Sequence, residues 1–324
     1  MGYTALMVYD VIATLGPASS TADSWWALLE AGASRFRLNT SHLSPDGVER
    51  WVESLRRVLG ARCPPIVLDL QGSKWRLGEL AARELHRGER VVLGMGAKAE
   101  LPVPHEDFFE AARASSGVVR LNDAKVELRI ESAEADRLQC QVVRGGPVSK
   151  RKGISLPGSS YRREGLLPRD EEIVRRTRGQ PELFYALSYV RDREEMTKLA
   201  AALPDRASAI AKIERPESLH AAREISREAG EVWLCRGDLG AEIGGVQMAR
   251  EVNRFASMVR ELSGPAILAG QVLEHMTRSE EPTRSELCHL YDSLLAGFSG
   301  VVLSDETAVG SYPAESCRAA ASFR

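Results

Sequence analysis

A chain of 324 residues with 44% apolar and 27% charged content holds one large α/β domain plus an insertion, and its formal net charge of -2 provides no basic field for a nucleic acid. The opening stretch MGYTALMVYDVIATLGP lacks a basic segment followed by unbroken apolar residues, and no later run approaches the roughly 18 apolar residues of a membrane span, so a cytoplasmic protein with no membrane partner is expected. Cys63, Cys140, Cys235, Cys288 and Cys317 are widely spaced with no C-x-x-C pair, which suits a reducing compartment and reads as packing rather than cross-linking.

The first unit is an apolar run over 6–15 that closes in Thr14-Leu15-Gly16-Pro17, followed by a helical pattern over 20–32 carrying Trp25, Trp26, Leu28 and Leu29. The next strand, 35–40, puts Arg37 and Asn39 on one face and runs into Ser41-His42. Ser44-Pro45 then supplies an N-cap and a first-turn proline for a helix ending near Leu59, before Gly60. The third strand, PIVLDLQG, is a continuous apolar run reaching Asp69, as expected of a strand buried on both faces.

The rhythm then changes. Over 78–157 short extended runs (RVVLG, GVVRLNDAKVELRIE, DRLQCQVV) separated by glycine and charged turns replace the helix-strand alternation. This predicts an inserted β-rich domain able to close as a lid, flanked by 1–77 and 158–324 as two parts of one larger domain. Its last stretch, VSKRKGISLPGSS, is basic and glycine-bearing, suited to a hinge or an anion contact.

From 158 onward, helical patterns over 169–177, 192–202, 216–229, 246–262, 284–296 and from Pro313 alternate with the strands LFYALSYV, SAIAKIE, EVWLCRG, PAILAGQV and GVVLSDE. Eight strands in βα units, with no G-x-G-x-x-G in the first, predict an α/β fold of the TIM (β/α)8 barrel type with an inserted small β-rich lid domain.

The carboxyl ends of these strands carry Thr14, Arg37 with Asn39, Asp69, Ser188, Lys212 with Glu214, Arg236 with Asp238, Gln271, and Ser304 with Glu306. Period-two geometry predicts one shared face for Lys212 and Glu214, and another for Arg236 and Asp238. Taken singly, Lys212 with Glu214 reads equally as an internal ion pair, and Gly237-Asp238 as a turn with a capping carboxylate. As a set, so many polar groups at one rim are costly to bury without a ligand. Glu214 and Asp238 are hard oxygen ligands suited to magnesium or manganese. Lys212, Arg37 and Arg76 would stabilise a transferring phosphoryl group, and the amides of Gly237-Asp238-Leu239-Gly240 would cradle a small carboxylate. A small phosphorylated acid is the implied ligand.

In ATLGPAS, RLNTSH, LDLQGSKWR, KGISLPG, AKIE, RGDLGAEI, PTRSE and LSDETAVGSYP, from Ile12 to the last helix, the chain resembles the pyruvate kinase family. The resemblance implies phosphoryl transfer from phosphoenolpyruvate to ADP, giving pyruvate and ATP. By position, Lys212 would contact the moving phosphoryl group, Glu214 and Asp238 would hold the metal, and Arg37 and Arg76 would neutralise phosphate oxygens. Ser188, Gly237, Asp238, Gly270 and Gln271 would line the substrate site. Thr14, Pro17 and His42 would lie beside the nucleotide, with Lys152 reaching from the lid. Ser304 and Glu306 would stand on the proton-relay side, while Thr283 and Arg284 match a structural motif.

Two departures carry expectations. Where potassium-dependent members have D-T-K-G-P-E, this chain has Asp69-Leu70-Gln71-Gly72-Ser73-Lys74. The Lys74 ammonium, with Asn39, Ser41 and Asp69, would replace the monovalent cation, so no potassium requirement is expected. Where the family has A-T-Q-M-L-E, this chain has Ala269-Gly270-Gln271-Val272-Leu273-Glu274. The missing hydroxyl at Gly270 would slow protonation of the product or leave space for a larger substrate. It supports an alternative, metal-enolate chemistry such as an aldol reaction or decarboxylation of an oxo acid without phosphoryl transfer. A binding protein without turnover is disfavoured because the catalytic charges remain. The chain stops at Arg324, before the family's usual carboxyl-terminal effector domain, so control through that domain is not expected; a homo-oligomer would form through the barrel.

Overall fold

The computed structural model describes residues 7–115, 117–122, 124–159 and 165–324. Eight parallel strands close a barrel: β1 (Asp10–Leu15), β2 (Arg35–Asn39), β3 (Ile66–Leu70), β4 (Leu183–Leu187), β5 (Ala209–Ile213), β6 (Glu231–Cys235), β7 (Ala266–Ala269) and β8 (Gly300–Leu303). Each strand pairs with its chain neighbours, and β8 returns to β1 with Gly300 opposite Asp10. This is the closed (β/α)8 arrangement that the alternation of units predicts.

Alternation along each strand divides the side chains into two cores. Val11, Ala13, Leu68, Leu70, Ala211 and Ile213 face the surrounding helices. Ile12, Val67, Ala186, Ile210, Trp233, Ile267 and Val302 fill the middle of the barrel. Two residues earlier on β1 and β6, the interior becomes ionic: Arg35 pairs with Asp10 and Glu231, and Trp233 donates to Glu231 at 3.1 Å. Two residues later on β1, β3 and β5, the periodicity that packs the interior delivers Thr14, Asp69 and Lys212 to the carboxyl-end rim.

The helix caps follow local chemistry. Ser44 Oγ accepts from Gly47 N at 3.1 Å and Pro45 opens the helix Pro45–Leu59. Asp192 caps Arg193–Ala202. Three readings of the sequence are corrected. The pattern over 216–229 forms two helices, Pro216–His220 and Ala222–Glu228, interrupted at Ala221. β6 ends at Cys235 and an eight-residue helix, Arg236–Ile243, follows at once, so Arg236 and Asp238 do not share a strand face. All five cysteines are free thiols, but Cys288 is exposed rather than packed.

The inserted segment builds a six-stranded mixed sheet in the order Ile154–Ser155, Val118–Leu121, Val126–Ala133, Arg137–Arg144, Arg90–Gly94, Leu101–Pro102. A two-stranded sheet joins Arg83–Leu85 to Gly146–Val148. The segment has its own apolar core around Trp75, Leu93, Phe108, Phe109 and Leu128. It docks on the barrel's carboxyl end, where Arg120 Nη1 donates to Ala241 O at 2.8 Å. Among the described residues no helix is long and apolar enough to cross a membrane.

Thr283, in the PTRSE stretch, closes a capping box. Its hydroxyl accepts from Glu286 N at 3.2 Å while the Glu286 carboxylate accepts from Thr283 N at 2.8 Å and from His275 N at 2.8 Å. Thr283→Ala is expected to cost about 1 kcal/mol, read as a lower midpoint in urea unfolding followed by circular dichroism; an unchanged midpoint would contradict the structural role.

Candidate active site

At the rim, Lys212 is the centre of a buried ionic network. Its ammonium donates to Asp69 Oδ1 at 3.0 Å and to Ser188 Oγ at 2.8 Å, and lies 2.9 Å from Glu214 Oε1. Ser188 Oγ in turn donates to Asp69 Oδ1 at 3.2 Å. Arg37 Nε donates to Asp69 Oδ2 at 2.7 Å and its Nη1 to Thr14 Oγ1 at 2.8 Å. Burial works against the charge of Asp69, yet Lys212 and Arg37 hold its carboxyl down to about 2. Burial likewise opposes the Lys212 ammonium, and Asp69 and Glu214 overcome it, raising its pKa above the ordinary lysine value. Both groups stay charged throughout the neutral range.

Glu214 follows β5 directly, and Asp238 lies in the first turn of Arg236–Ile243. Glu214 Oε2 accepts from Tyr189 N at 2.7 Å. Glu214 Oε1 has the Lys212 ammonium beside it, but not at a hydrogen-bonding angle, and is a buried oxygen without a hydrogen bond among the described residues. Burial raises the Glu214 carboxyl above its ordinary value, with Lys212 in opposition. Burial also works against the Asp238 charge, but Lys74 and then Lys212 pull its carboxyl below its ordinary value. A buried carboxylate oxygen held only by an ion pair, beside a second carboxylate, is a donor set that suits a hard divalent cation taking its other ligands from substrate and water. The pair alone does not make a full coordination shell, and no cluster of three or more histidine, cysteine, aspartate or glutamate side chains suited to a metal occurs among the described residues.

Lys74 reaches this pair from the chain after β3. Its ammonium pairs with Asp238, stands 5.6 Å from the centre of the Tyr189 ring, and passes over Gly153, where a Cβ would meet Lys74 Cε at 2.7 Å. The structure therefore brings Lys74 to Asp238. Asn39, Ser41 and Asp69 engage other groups: Asn39 Oδ1 accepts from Ser41 N at 3.2 Å, and Asp69 O accepts from Thr40 Oγ1 at 2.8 Å.

His42 sits at the edge of a cationic group. Partial burial and the nearby Arg76, Lys152, Arg151 and Arg169 lower its pKa to about 4, leaving the ring neutral. Arg151 and Arg169 each donate to Ser41 O at 3.3 Å, and Arg76 Nη1 donates to Arg151 O at 2.8 Å. Arg76 Nε is buried without a hydrogen-bond partner among the described residues. Pro17 opens the short 3-10 turn Pro17–Ser19 at the end of β1.

On the opposite side, Gly237 and Asp238 lie in the first turn of a helix whose N-cap, Cys235, makes no side-chain cap bond. Arg236 turns away from Asp238 and donates to Gly270 O at 2.9 Å and Gln271 O at 2.8 Å. Gly270 has φ +84, and a Cβ there would come within 2.9 Å of Gly237 N, so backbone occupies the room that the missing side chain leaves. Gln271 is exposed, with φ 53, beyond the end of β7. Ser304 precedes the short helix Asp305–Ala308, and both oxygens of the fully buried Glu306 are spent on backbone, accepting from Leu273 N at 3.0 Å and Ser304 N at 2.7 Å.

The family model described as pyruvate kinase, barrel domain, matches residues 8–317. The chain belongs to the pyruvate kinase family. Proteins named pyruvate kinase from Agrobacterium vitis and Mycobacterium tuberculosis are each 34% identical to it, over 94% and 95% of this chain. One from Thermococcus litoralis is 31% identical over 94% of it. The chain spans 65%, 67% and 66% of the length of these three relatives, respectively.

Several residues of this barrel carry no sequence signal of their role. Asp170, the third residue of the helix Pro168–Thr177, accepts from Gly72 N at 2.8 Å and Gln71 N at 3.3 Å, pinning the turn that leads to Lys74 and Arg76. Gly72 needs that turn, with φ +57 and space for no side chain: a Cβ would meet Ser188 O at 2.2 Å. Burial pushes the Asp170 carboxyl up to about 6, against the two amides. An unfolded aspartate titrates near about 3.9, so the folded state holds the extra proton between these values. The contribution of this group favours the folded state at acid pH and is lost as pH rises through 6. Removing the carboxyl with Asp170→Asn should therefore flatten unfolding free energy against pH, by about 1 kcal/mol between pH 5 and 7. Equal slopes for the two proteins would contradict the assignment.

Proposed function

We propose that this chain transfers the phosphoryl group of phosphoenolpyruvate to ADP, yielding pyruvate and ATP. The observation that carries the reading is the Lys212 ammonium, held charged by Asp69 and Glu214 beside the carboxylate of Asp238. Glu214 and Asp238 would hold magnesium or manganese, which when bound supplies a Lewis acid to substrate oxygens. Lys212 and Arg37 offer fixed positive charge to the equatorial oxygens of the moving phosphoryl group, and Arg76 supports them with a buried donor that has a bond to spare. The uncapped amides of Gly237 and Asp238, at the start of their helix, suit the substrate carboxylate, with Ser188, Gly270 and Gln271 around it.

The cationic group of Arg76, Arg151, Lys152 and Arg169 around a neutral His42 suits the phosphates of ADP, beside Thr14 and Pro17. The bridging P–O bond of phosphoenolpyruvate breaks, a P–O bond to the terminal oxygen of ADP forms, and the released enolate takes a proton at its third carbon. Ser304 and Glu306 would stand on that side, with Glu306 acting through the backbone amides it accepts from. Residues 78–157 act as the lid that excludes water, with 1–77 and 158–324 as the barrel.

Lys74 supplies a fixed cation within the carboxylate cluster, which supports activity without potassium. The alternative, oxo-acid chemistry on a substituted substrate, needs space at Gly270, and the close approach of Gly237 N argues against that space. The free thiols support a cytoplasmic location, and a homo-oligomer through the barrel is part of the same proposal.

Lys212→Met separates charge from metal binding. The variant should retain manganese binding while ATP formation falls by about 10²–10³-fold, the scale for losing one preorganised charge; near-normal turnover would overturn the role of Lys212.

A further inference from the structure

Tyr189 follows β4 with φ 58, a left-handed conformation that a residue with a bulky side chain rarely adopts. Its ring is fully buried. Such a backbone persists only where its surroundings over-determine it, and here both ends of the residue are held. The backbone N donates to Glu214 Oε2 at 2.7 Å, while the phenol donates to Glu242 Oε1 at 3.1 Å and lies 3.3 Å from Ser155 Oγ in the inserted segment. Glu242 lies on Arg236–Ile243, the helix that also carries Asp238. The ring between these ends faces the Lys74 ammonium that pairs with Asp238. One residue thus spans, through its backbone N and its phenol, from the Glu214 carboxylate to the helix bearing Asp238.

We propose that Tyr189 is a positioning residue that holds Glu214 and Asp238 at the separation a divalent ion requires, with its hydroxyl as the anchor. The inference rests on the reading that these two carboxylates bind the metal. The hydroxyl bond to Glu242 holds the ring tip against relaxation of the strained backbone, and with it the amide that donates to Glu214. The inserted segment, through Ser155, rests on the same hydroxyl, so its seating and the metal pair share one contact.

The test is manganese binding to the purified full chain, followed by electron paramagnetic resonance of free Mn²⁺. Tyr189→Phe keeps the ring and removes only the anchor; it should weaken binding about tenfold, the low end for groups acting behind metal ligands. Glu242→Ala removes the same Tyr189–Glu242 bond and should also weaken binding, and the double variant should lose less than the sum of the two single losses, because the two changes share that bond. In turnover, the metal concentration for half-maximal rate should rise while the rate at saturating metal changes little. Wild-type affinity in Tyr189→Phe, or losses that add in the double variant, would overturn the inference. Absence of Mn²⁺ binding by the unsubstituted protein would instead overturn the metal reading beneath it.

Discussion

The rim depends on one buried contact, the Lys212 ammonium between the carboxylates of Asp69 and Glu214. An ammonium desolvated alone costs on the order of several kcal/mol, and breaking a buried pair by removing one partner leaves that cost uncompensated. Arg37 therefore reaches Asp69 from the neighbouring strand, and Lys74 reaches Asp238 from the turn after β3. The cations of Arg37, Lys74 and Lys212 offset the carboxylates of Asp69, Glu214 and Asp238. This balance lets a barrel with an apolar middle end in charge, and a site preorganised in this way reorganises little when charge moves in a substrate.

The turns beyond the strands hold that network in place by backbone chemistry. Gly72, Tyr189, Gly270 and Gln271 all have positive φ, and each follows a strand whose end lines the site. Asp170 holds the turn at Gly72 through its amide, and Arg236 holds the turn of Gly270 and Gln271 through their carbonyls. The inserted segment is seated through Arg120 on Ala241 and Ser155 on Tyr189, both close to the helix that bears Asp238. Seating of this segment and geometry of the carboxylate pair are thereby mechanically linked.

Much of this was legible in the chain because it follows period. The alternation of apolar runs and helical patterns carries the barrel, and inward alternation on β1, β3 and β5 carries Thr14, Asp69 and Lys212 to one end. Ser44-Pro45 announces its helix through cap chemistry that needs no tertiary contact. What periodicity could not supply were residues whose partners lie far along the chain. Asp170 reads as an ordinary first-turn acid, yet it holds a turn about a hundred residues earlier. Arg236 and Asp238 share a period-two spacing, but β6 ends at Cys235 and helical geometry sends them to different partners. Gly270 reads as a missing side chain, whereas close approach of the Gly237 backbone explains why none fits.

The most direct test of phosphoryl transfer at this rim follows phosphorus NMR signals of phosphoenolpyruvate and ADP mixed with the protein and magnesium in potassium-free buffer. ATP resonances should grow as the phosphoenolpyruvate resonance falls, and added potassium should leave the rate nearly unchanged. A phosphoenolpyruvate signal that persists in both buffers would contradict phosphoryl transfer, and turnover only with potassium would contradict the role given to Lys74.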